Sequence, residues 1–167
     1  MSVDGYIATN DDDISWLSMV HKEGEDYGYN EFNETVDTYI VGFTTYKTVL
    51  NLTGGEFPPA KMHRCYVITR QKRESENGVI FYNEDIGTLV EKLKMEKGKN
   101  IYCDGGSQIV QLLMQKNAID EYIISVVPIL LGEGKRLFLG SIPKIQVKAL
   151  SPKHYETGLT QLHYVRV

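Results

Sequence analysis

The chain has 167 residues, of which 42% are hydrophobic and 24% are charged, and its formal net charge is −4 at pH 7. These values are typical of one folded domain, which we expect to span residues 1–167. The acidic charge argues against a nucleic-acid partner, and the absence of an apolar run near the roughly 20 residues that cross a bilayer argues against a membrane partner.

Predicted strands and helices alternate along most of the chain. The strands are 37–42, 64–70, 79–82, 100–104 and 121–130, the helices are 44–52, 84–97 and about 107–116, and residues 145–167 alternate like an antiparallel hairpin with its turn near 156–158. Strands that alternate with helices form largely parallel sheets covered on both faces. We therefore predict an α/β fold, a three-layer α/β/α sandwich with a mixed, mostly parallel central sheet and antiparallel C-terminal strands.

Cysteine and histidine usage predicts a reduced, metal-free protein. Cys65 and Cys103 fall in predicted buried strands, and two cysteines alone make no metal site. His154-Tyr155-Glu156 fits the H-x-E of zinc deaminases, but the P-C-x-x-C partner is absent. Met1–Asn10 is neither basic nor long and apolar, as a secretory signal would be. We expect cytoplasmic localisation.

Three predicted strand ends carry residues that suit an anionic ligand: Gly42, Thr69-Arg70 and Asp104-Gly105-Gly106. Parallel strands bring such ends to one edge of the sheet, where α/β proteins bind ligands. The glycine pair opens a helix whose first N–H groups would attract a pyrophosphate, and Ser107 or Gln108 could add a side-chain donor. The alternative is ordinary turn chemistry, which is the more frequent reason for two glycines before a helix.

The other two strand ends are open to the same two interpretations. Thr69-Arg70 offers a hydroxyl and a guanidinium to a phosphate monoester, although a solvated arginine is the alternative. Thr44-Thr45 after Gly42 begins a second helix, where simple capping is the alternative. The chain has neither G-x-G-x-x-G nor G-x-x-x-x-G-K-[ST], so several strand ends would have to hold a dinucleotide together.

The segments MSVDGYIA, VGFTTYKTV, YVITR and IYCDGGSQIVQLLMQKNAIDEYIISVVPILLGEGKRLF resemble, in order and spacing, the dihydrofolate-reductase-like family. The nearest branch consists of stand-alone proteins related to the reductase domain of bifunctional riboflavin biosynthesis deaminase/reductase enzymes. The resemblance covers nearly the whole chain and is most specific over Asp104–Phe138. It implies a single dihydrofolate reductase-like domain that uses NADPH to reduce a small heterocyclic substrate, pteridine- or pyrimidine-like. It also implies a homodimer.

The resemblance implies roles for the strand-end residues. Thr45 would face the cofactor phosphates, Thr69-Arg70 would grip the adenosine 2′-phosphate, and Gly105-Gly106, joined by a cis peptide in dihydrofolate reductases, would lie beside nicotinamide and pyrophosphate. The expected cofactor-binding residues are Ala8, Gly42, Thr44, Thr45, Thr69, Arg70, Asp104, Gly105, Gly106, Ser107 and Gln108.

The resemblance also implies a substrate side. Asp4-Gly5 and Ile7-Ala8 match a first loop over nicotinamide and substrate, and Trp16 matches an aromatic position at the substrate cleft, with a core residue as the alternative. The expected substrate-binding residues are Asp4, Trp16, Leu131 and Gly132, and the expected catalytic residues are Asp4, which would orient a substrate group, and Asp26, which would donate a proton. Three other acids compete with Asp26: Glu23, Glu25 and Glu31.

The chain departs from the family pattern in ways that keep a second interpretation open. Phe43 stands where the G-R-x-T-[YW] motif has an arginine, so a preference for NADPH over NADH would rest on Arg70. Only Lys135 and Arg136 offer positive charge for a substrate phosphate. The family has a strand before MSVDGYIA, and this chain begins within that motif. The alternatives are a nucleotide-binding, dimerising protein without turnover and a protein that sequesters an antifolate.

Overall fold

The structure, a computed structural model, describes all residues 1–167. The chain divides into a first unit, Met1–Tyr27 with Ile119–Val167, and a second unit, Gly28–Ala118. The expectation of one domain over residues 1–167 stays a prediction. The elements in chain order are β1 (Tyr6–Ala8), a 3-10 helix (Ser15–Val20), α1 (Tyr29–Glu34), β2 (Val36–Gly42), α2 (Phe43–Leu52), a second 3-10 helix (Pro58–Lys61), β3 (Arg64–Ile68), β4 (Val79–Tyr82), α3 (Ile86–Met95), β5 (Asn100–Gly105), α4 (Ser107–Gln115), β6 (Glu121–Val126), β7 (Lys135–Arg136), β8 (Val147–Ala149), β9 (Lys153–His154) and β10 (Thr160–Arg166).

The second unit is built on a parallel sheet of four strands in the order β4-β3-β2-β5. The central strand β2 can occupy this position because its residues are apolar in succession. Ile40 and Val41 have no exposed surface, which is the pattern of a strand covered on both faces. The α/β fold class with parallel strands and antiparallel C-terminal strands is thus confirmed.

One main cluster of buried side chains lies in the second unit, contributed mostly by β2, β3, β4 and α2. Its members are Tyr39, Val41, Tyr46, Phe57, Cys65, Val67, Val79 and Phe81. Full burial of such apolar side chains contributes about 1.5–3 kcal/mol each relative to exposure. Asp85 caps the N-terminus of helix α3, because its carboxylate accepts the Thr88 N–H at 2.9 Å. Its predicted apolar positions, Ile86, Leu89, Val90 and Leu93, are all buried.

The first unit contains antiparallel strands. Strand β10 pairs with β6, β8 and β9, and β1 pairs with β7. The predicted turn joins β9 to β10, where Gly158 adopts φ +86° and donates its N–H to the Tyr155 carbonyl at 2.9 Å. The predicted strand 121–130 is too long, because β6 ends at Val126, two residues before Pro128, which lacks the N–H that a ladder needs.

Both cysteines are free thiols, one on β3 and one on β5. Burial raises the pKa of Cys65 to about 12 and that of Cys103 to about 12, so neither thiol ionises near neutral pH. No group of three or more histidine, cysteine, aspartate or glutamate side chains is arranged to hold a metal ion. None of the helices combines the length and apolar character that crossing a membrane requires.

Asp4 joins two distant segments of the first unit. Its Oδ1 accepts hydrogen bonds from the Ser2 hydroxyl at 2.6 Å and the Leu131 N–H at 3.1 Å, and its Oδ2 accepts the Gly132 N–H at 2.7 Å. These bonds, the one from Ser2 above all, lower the pKa of Asp4 to about 2. The carboxylate therefore stays ionised near neutral pH and anchors the backbone of residues 131–132.

We expect Asp4→Asn to lower the melting temperature at pH 5, because an amide nitrogen cannot accept the Gly132 N–H. A carboxyl whose pKa falls on folding stabilises the fold at pH values above 3.8, its ordinary pKa. The stabilisation is lost as the pH falls through the pKa of the folded state, about 2. The difference between wild type and variant should therefore shrink from pH 4 towards pH 2 in circular dichroism melts. Glu133→Gln, at an exposed position, is the control. A difference that stays constant over this range would contradict the assignment.

Candidate functional site

The carboxyl ends of β2, β3 and β5 meet at one edge of the parallel sheet. Gly42 lies opposite Ile68, and Val41 lies opposite Gly105. Helix α2 follows Gly42 directly, helix α4 follows Gly106 directly, and neither first turn is capped by a side chain. Two helix N-termini with their positive dipole ends therefore share this edge, which is an arrangement that favours an anion. The prediction that the three strand ends point the same way is confirmed.

The glycine pair lies against helix α2. The peptide bond between Gly105 and Gly106 is cis. Gly105 has φ +93°, in the left-handed region that favours glycine, and a Cβ there would meet nothing within 4 Å. A Cβ on Gly106 would lie 3.2 Å from the Thr45 hydroxyl oxygen. Two residues from separate predicted motifs, Thr45 and Gly106, are thus direct neighbours, and the backbone beside them is open.

Gly42 has a packing role as well as its place at the strand end. A Cβ on this residue would lie 3.0 Å from Cγ1 of Ile109 and 3.7 Å from the Gly105 carbonyl oxygen. Ile109 is buried on helix α4. The missing side chain therefore lets α4 pack closely against β2 and keeps the beginnings of α2 and α4 near each other.

Thr69 and Arg70 lie just beyond β3, which ends at Ile68, two residues earlier than predicted. The chain leaves the strand because the Thr69 hydroxyl accepts the Gln71 N–H at 3.2 Å, which closes a turn. The Thr69 N–H still donates to the Tyr82 carbonyl at 2.9 Å. Arg70 is exposed and pairs with no carboxylate, so its guanidinium is available to an anionic ligand.

The side chain of Asp104 binds two tyrosines. Its carboxylate accepts hydrogen bonds from the Tyr39 hydroxyl and, at 2.6 Å, from the Tyr102 hydroxyl. Burial raises the pKa of Asp104, while these two hydrogen bonds act in the opposite direction. Burial and the Asp104 charge also raise the pKa values of both tyrosines. Asp104 thus fixes the strand end before the glycine pair, and its own carboxylate is engaged within the protein.

Sequence reasoning missed the two tyrosines. Tyr39 and Tyr102 are paired residues of β2 and β5, and their rings meet edge to face with centroids 5.3 Å apart. The register of two parallel strands is the signal that would have found them. Local sequence contains no such register, because the two residues are 63 positions apart.

In the first unit, Asp4 lies together with the two backbone amides of Leu131 and Gly132, as described above. Ala8 lies on β1, opposite Lys135. Trp16 is only 8% exposed and packs in a cluster with Val20, Val127 and Leu159; its indole N–H has no hydrogen-bond partner. This position matches the core interpretation of Trp16.

The acids and basic residues expected on the substrate side have varied surroundings. Asp26 is exposed in the segment before α1, whereas Glu25 accepts the Tyr27 N–H at 2.9 Å. Lys135 pairs with Asp12, and Arg136 donates to the Tyr6 hydroxyl at 3.0 Å. The two cations suggested for a substrate phosphate therefore already have partners in their own unit.

Comparisons with known proteins agree with this arrangement. Residues 1–163 match the RibD C-terminal domain family. The uncharacterized protein YwjB of Bacillus subtilis (strain 168) is 40% identical over 167 residues, which are 99% of this chain and 94% of YwjB. The crystal structure of a putative riboflavin biosynthesis protein from Shewanella sp. PV-4 superposes with a TM-score of 0.88 at 27% identity, over 100% of this chain and 95% of that chain.

A more distant structure shares the fold. The diaminohydroxyphosphoribosylaminopyrimidine deaminase/5-amino-6-(5-phosphoribosylamino)uracil reductase of Thermotoga maritima superposes with a TM-score of 0.72 at 15% identity, over 99% of this chain and 54% of that chain. Family match, relative and fold agree with the resemblance drawn from the sequence. The chain belongs to the RibD C-terminal domain family.

Proposed function

We propose that this chain is an NADPH-dependent reductase of a small heterocyclic substrate, similar to the 5-amino-6-(5-phosphoribosylamino)uracil named for the Thermotoga maritima protein. The observation that carries the proposal is the contact region of Thr45 and Gly106, where two helix N-termini meet beside open backbone. The positive ends of two helices suit a pyrophosphate, which carries negative charge on both of its phosphates.

The residues present fit a dinucleotide phosphate. A Cβ at Gly106 would fill the space beside Thr45, so glycine keeps this approach open for a ligand. We assign the pyrophosphate to the first turns of α2 and α4, through Thr44, Thr45, Ser107 and Gln108. Thr69 and Arg70 are assigned to a phosphate monoester on the adenosine ribose. When bound there, NADPH supplies a hydride from its nicotinamide.

Reduction of a substrate double bond needs a proton as well as a hydride. Asp4 cannot donate one near neutral pH, because its pKa of about 2 keeps it ionised and its two oxygens already accept three hydrogen bonds. Its proposed role is to hold the backbone of Leu131 and Gly132 for substrate contact. Asp26 stays the proposed proton donor, and Trp16 and Ala8 stay proposed contacts.

A second candidate function is nucleotide binding without turnover. It is favoured by the surroundings of the two proposed acids, since Asp4 is fully engaged and Asp26 is exposed at the surface. Both candidates share the nucleotide site and differ in substrate-dependent oxidation of the cofactor. Homodimerisation stays a prediction for either one.

The decisive experiment is a calorimetric titration of the protein with NADPH and with NADH, followed by a spectrophotometric assay of NADPH oxidation with 5-amino-6-(5-phosphoribosylamino)uracil. We expect micromolar binding, on the scale of about −8 kcal/mol, and oxidation that depends on substrate. Binding without oxidation across a panel of pyrimidine and pteridine substrates would favour the second candidate. If neither NADPH nor NADH binds, the proposed site is overturned.

Gly106→Val should weaken NADPH and NADH binding together, by about tenfold or more, because both carry the pyrophosphate. The added Cβ would lie 3.2 Å from the Thr45 hydroxyl, and φ at this residue is −70°, a value that valine tolerates. The variant should therefore fold, as circular dichroism would report. The control is Gly140→Val, where a Cβ would meet nothing within 4 Å. Unchanged affinity for the two nucleotides would mean that the glycine pair only forms a turn and does not contact a ligand.

Arg70→Ala should raise the dissociation constant for NADPH by about ten- to a hundredfold, the value of one charge-assisted contact. NADH lacks the 2′-phosphate, so its affinity should change by less than about twofold. Isothermal titrations of the variant with both nucleotides test this, with the exposed Lys72→Ala as the control. Equal losses for the two nucleotides would remove Arg70 from the monoester site.

A further inference from the structure

Two cationic side chains lie over the ring of Phe43, the first residue of α2. The Arg73 guanidinium carbon lies 4.4 Å from the ring centroid, and the Lys47 ammonium nitrogen lies 5.4 Å from it. Arg73 also lies 5.8 Å from the Phe81 centroid. Cations within about 6 Å of an aromatic face are attracted by the ring quadrupole. This group of three residues, Phe43, Lys47 and Arg73, is called the cation platform below.

The ring of Phe43 is well supported. It packs edge to face against Phe81 with centroids 6.2 Å apart and lies 6.3 Å from the ring of Tyr46. Phe81 and Tyr46 are members of the buried cluster of the second unit. The core therefore fixes the ring, and the ring in turn limits where the Arg73 guanidinium can lie.

The positive charge of the cation platform is not neutralised by the protein. Neither Arg73 nor Lys47 pairs with a carboxylate, although Glu74 and Glu76 belong to the same exposed loop as Arg73. Arg64 and Arg166, by contrast, pair with Glu96 and Asp120. The only side-chain hydrogen bond of Arg73 goes to the Gln71 side-chain oxygen at 3.2 Å. Most of its five N–H donors thus remain available.

Strand register places the beginning of the loop that carries Arg70 and Arg73 next to Phe43. Gly42 is paired with Ile68, so Phe43 and Thr69 each follow one member of the same pair. Adjacent strands are about 4.8 Å apart. The two arginines without carboxylate partners therefore extend from the loop that begins next to Phe43, at the edge where the phosphates of the proposed nucleotide would lie.

Two guanidinium groups and an ammonium group without acidic partners suit a dianionic phosphate monoester. Arginine binds phosphate through in-plane N–H groups, and contact of its flat face with an aromatic ring leaves these groups free. A pyrophosphate diester bridge offers less charge per phosphorus. Among the groups of NADPH, the 2′-phosphate has this monoester chemistry.

We infer that Arg73, held over the Phe43 ring, binds the 2′-phosphate of NADPH together with Arg70, so that Phe43 is a positioning residue for cofactor specificity. This inference rests on the proposed function and extends it. It reverses the sequence-based expectation for Phe43: an aromatic residue at this position keeps the preference for the phosphorylated nucleotide by orienting a cation from another segment.

The test is calorimetric titration of wild type, Arg73→Ala, Phe43→Leu and the double variant with NADPH and NADH. Arg73→Ala should raise the dissociation constant for NADPH about tenfold and leave that for NADH within about twofold. Phe43→Leu should give a smaller loss of the same kind, and Phe43→Trp should restore the preference, since tryptophan has the strongest cation–π face. The double variant should be no weaker than Arg73→Ala, because Phe43 acts through Arg73.

Salt dependence gives an independent readout. The NADPH affinity of wild type should fall more steeply with added salt than that of Arg73→Ala, because one phosphate–cation contact is missing in the variant. Lys72→Ala, which removes an adjacent exposed charge with no aromatic contact, is the matched control and should behave like wild type.

The possible failures are distinguishable. If wild type binds neither nucleotide, both the proposed function and this inference are overturned. If wild type prefers NADPH and Arg73→Ala keeps that preference, only the inference is overturned. Equal loss of both nucleotides in Phe43→Leu, with no rescue by Phe43→Trp, would show that the ring serves helix α2 alone and would also overturn the inference.

Discussion

Parallel pairing on both sides of strand β2 is the constraint on which the second unit depends. One strand sets the register of two neighbours, with Val41 opposite Gly105 and Gly42 opposite Ile68. A strand that is hydrogen-bonded on both edges and covered on both faces must be apolar at successive positions, as Ile40 and Val41 are. The register then carries three loop beginnings to one edge, where the polar chemistry is concentrated.

Local sequence predicts this framework well, because its signals are short-ranged. Apolar runs predict β2 and β3, helical spacing predicts the buried positions of α3, and two glycines before Ser107 predict the start of α4. The proposed site depends on longer-ranged contacts. Asp4 bonds to a residue 127 positions away, and Tyr39 bonds to Asp104 across 65 positions. No periodicity within a segment encodes such pairs, so the sequence shows neither the hydrogen bond of Asp4 to residue 131 nor that of Asp104 to Tyr39.

The electrostatics of the proposed nucleotide edge differ from those of the chain as a whole. The net charge is −4, yet this edge combines two helix N-termini with an arginine and a cation platform that lack acidic partners. Composition averages over the surface and cannot report such a local excess. The same limit applies to Phe43. In the sequence it replaces a positively charged arginine, whereas in the structure its ring contacts the Arg73 guanidinium.

The position of Trp16 has an optical consequence. It is the only tryptophan of the chain, and it is buried in the first unit, in the cluster with Val20, Val127 and Leu159. Emission excited selectively at the indole therefore monitors the packing of the first unit. The chain thus carries one intrinsic fluorophore that reports on the first unit alone, and the melting of that unit can be followed without added labels.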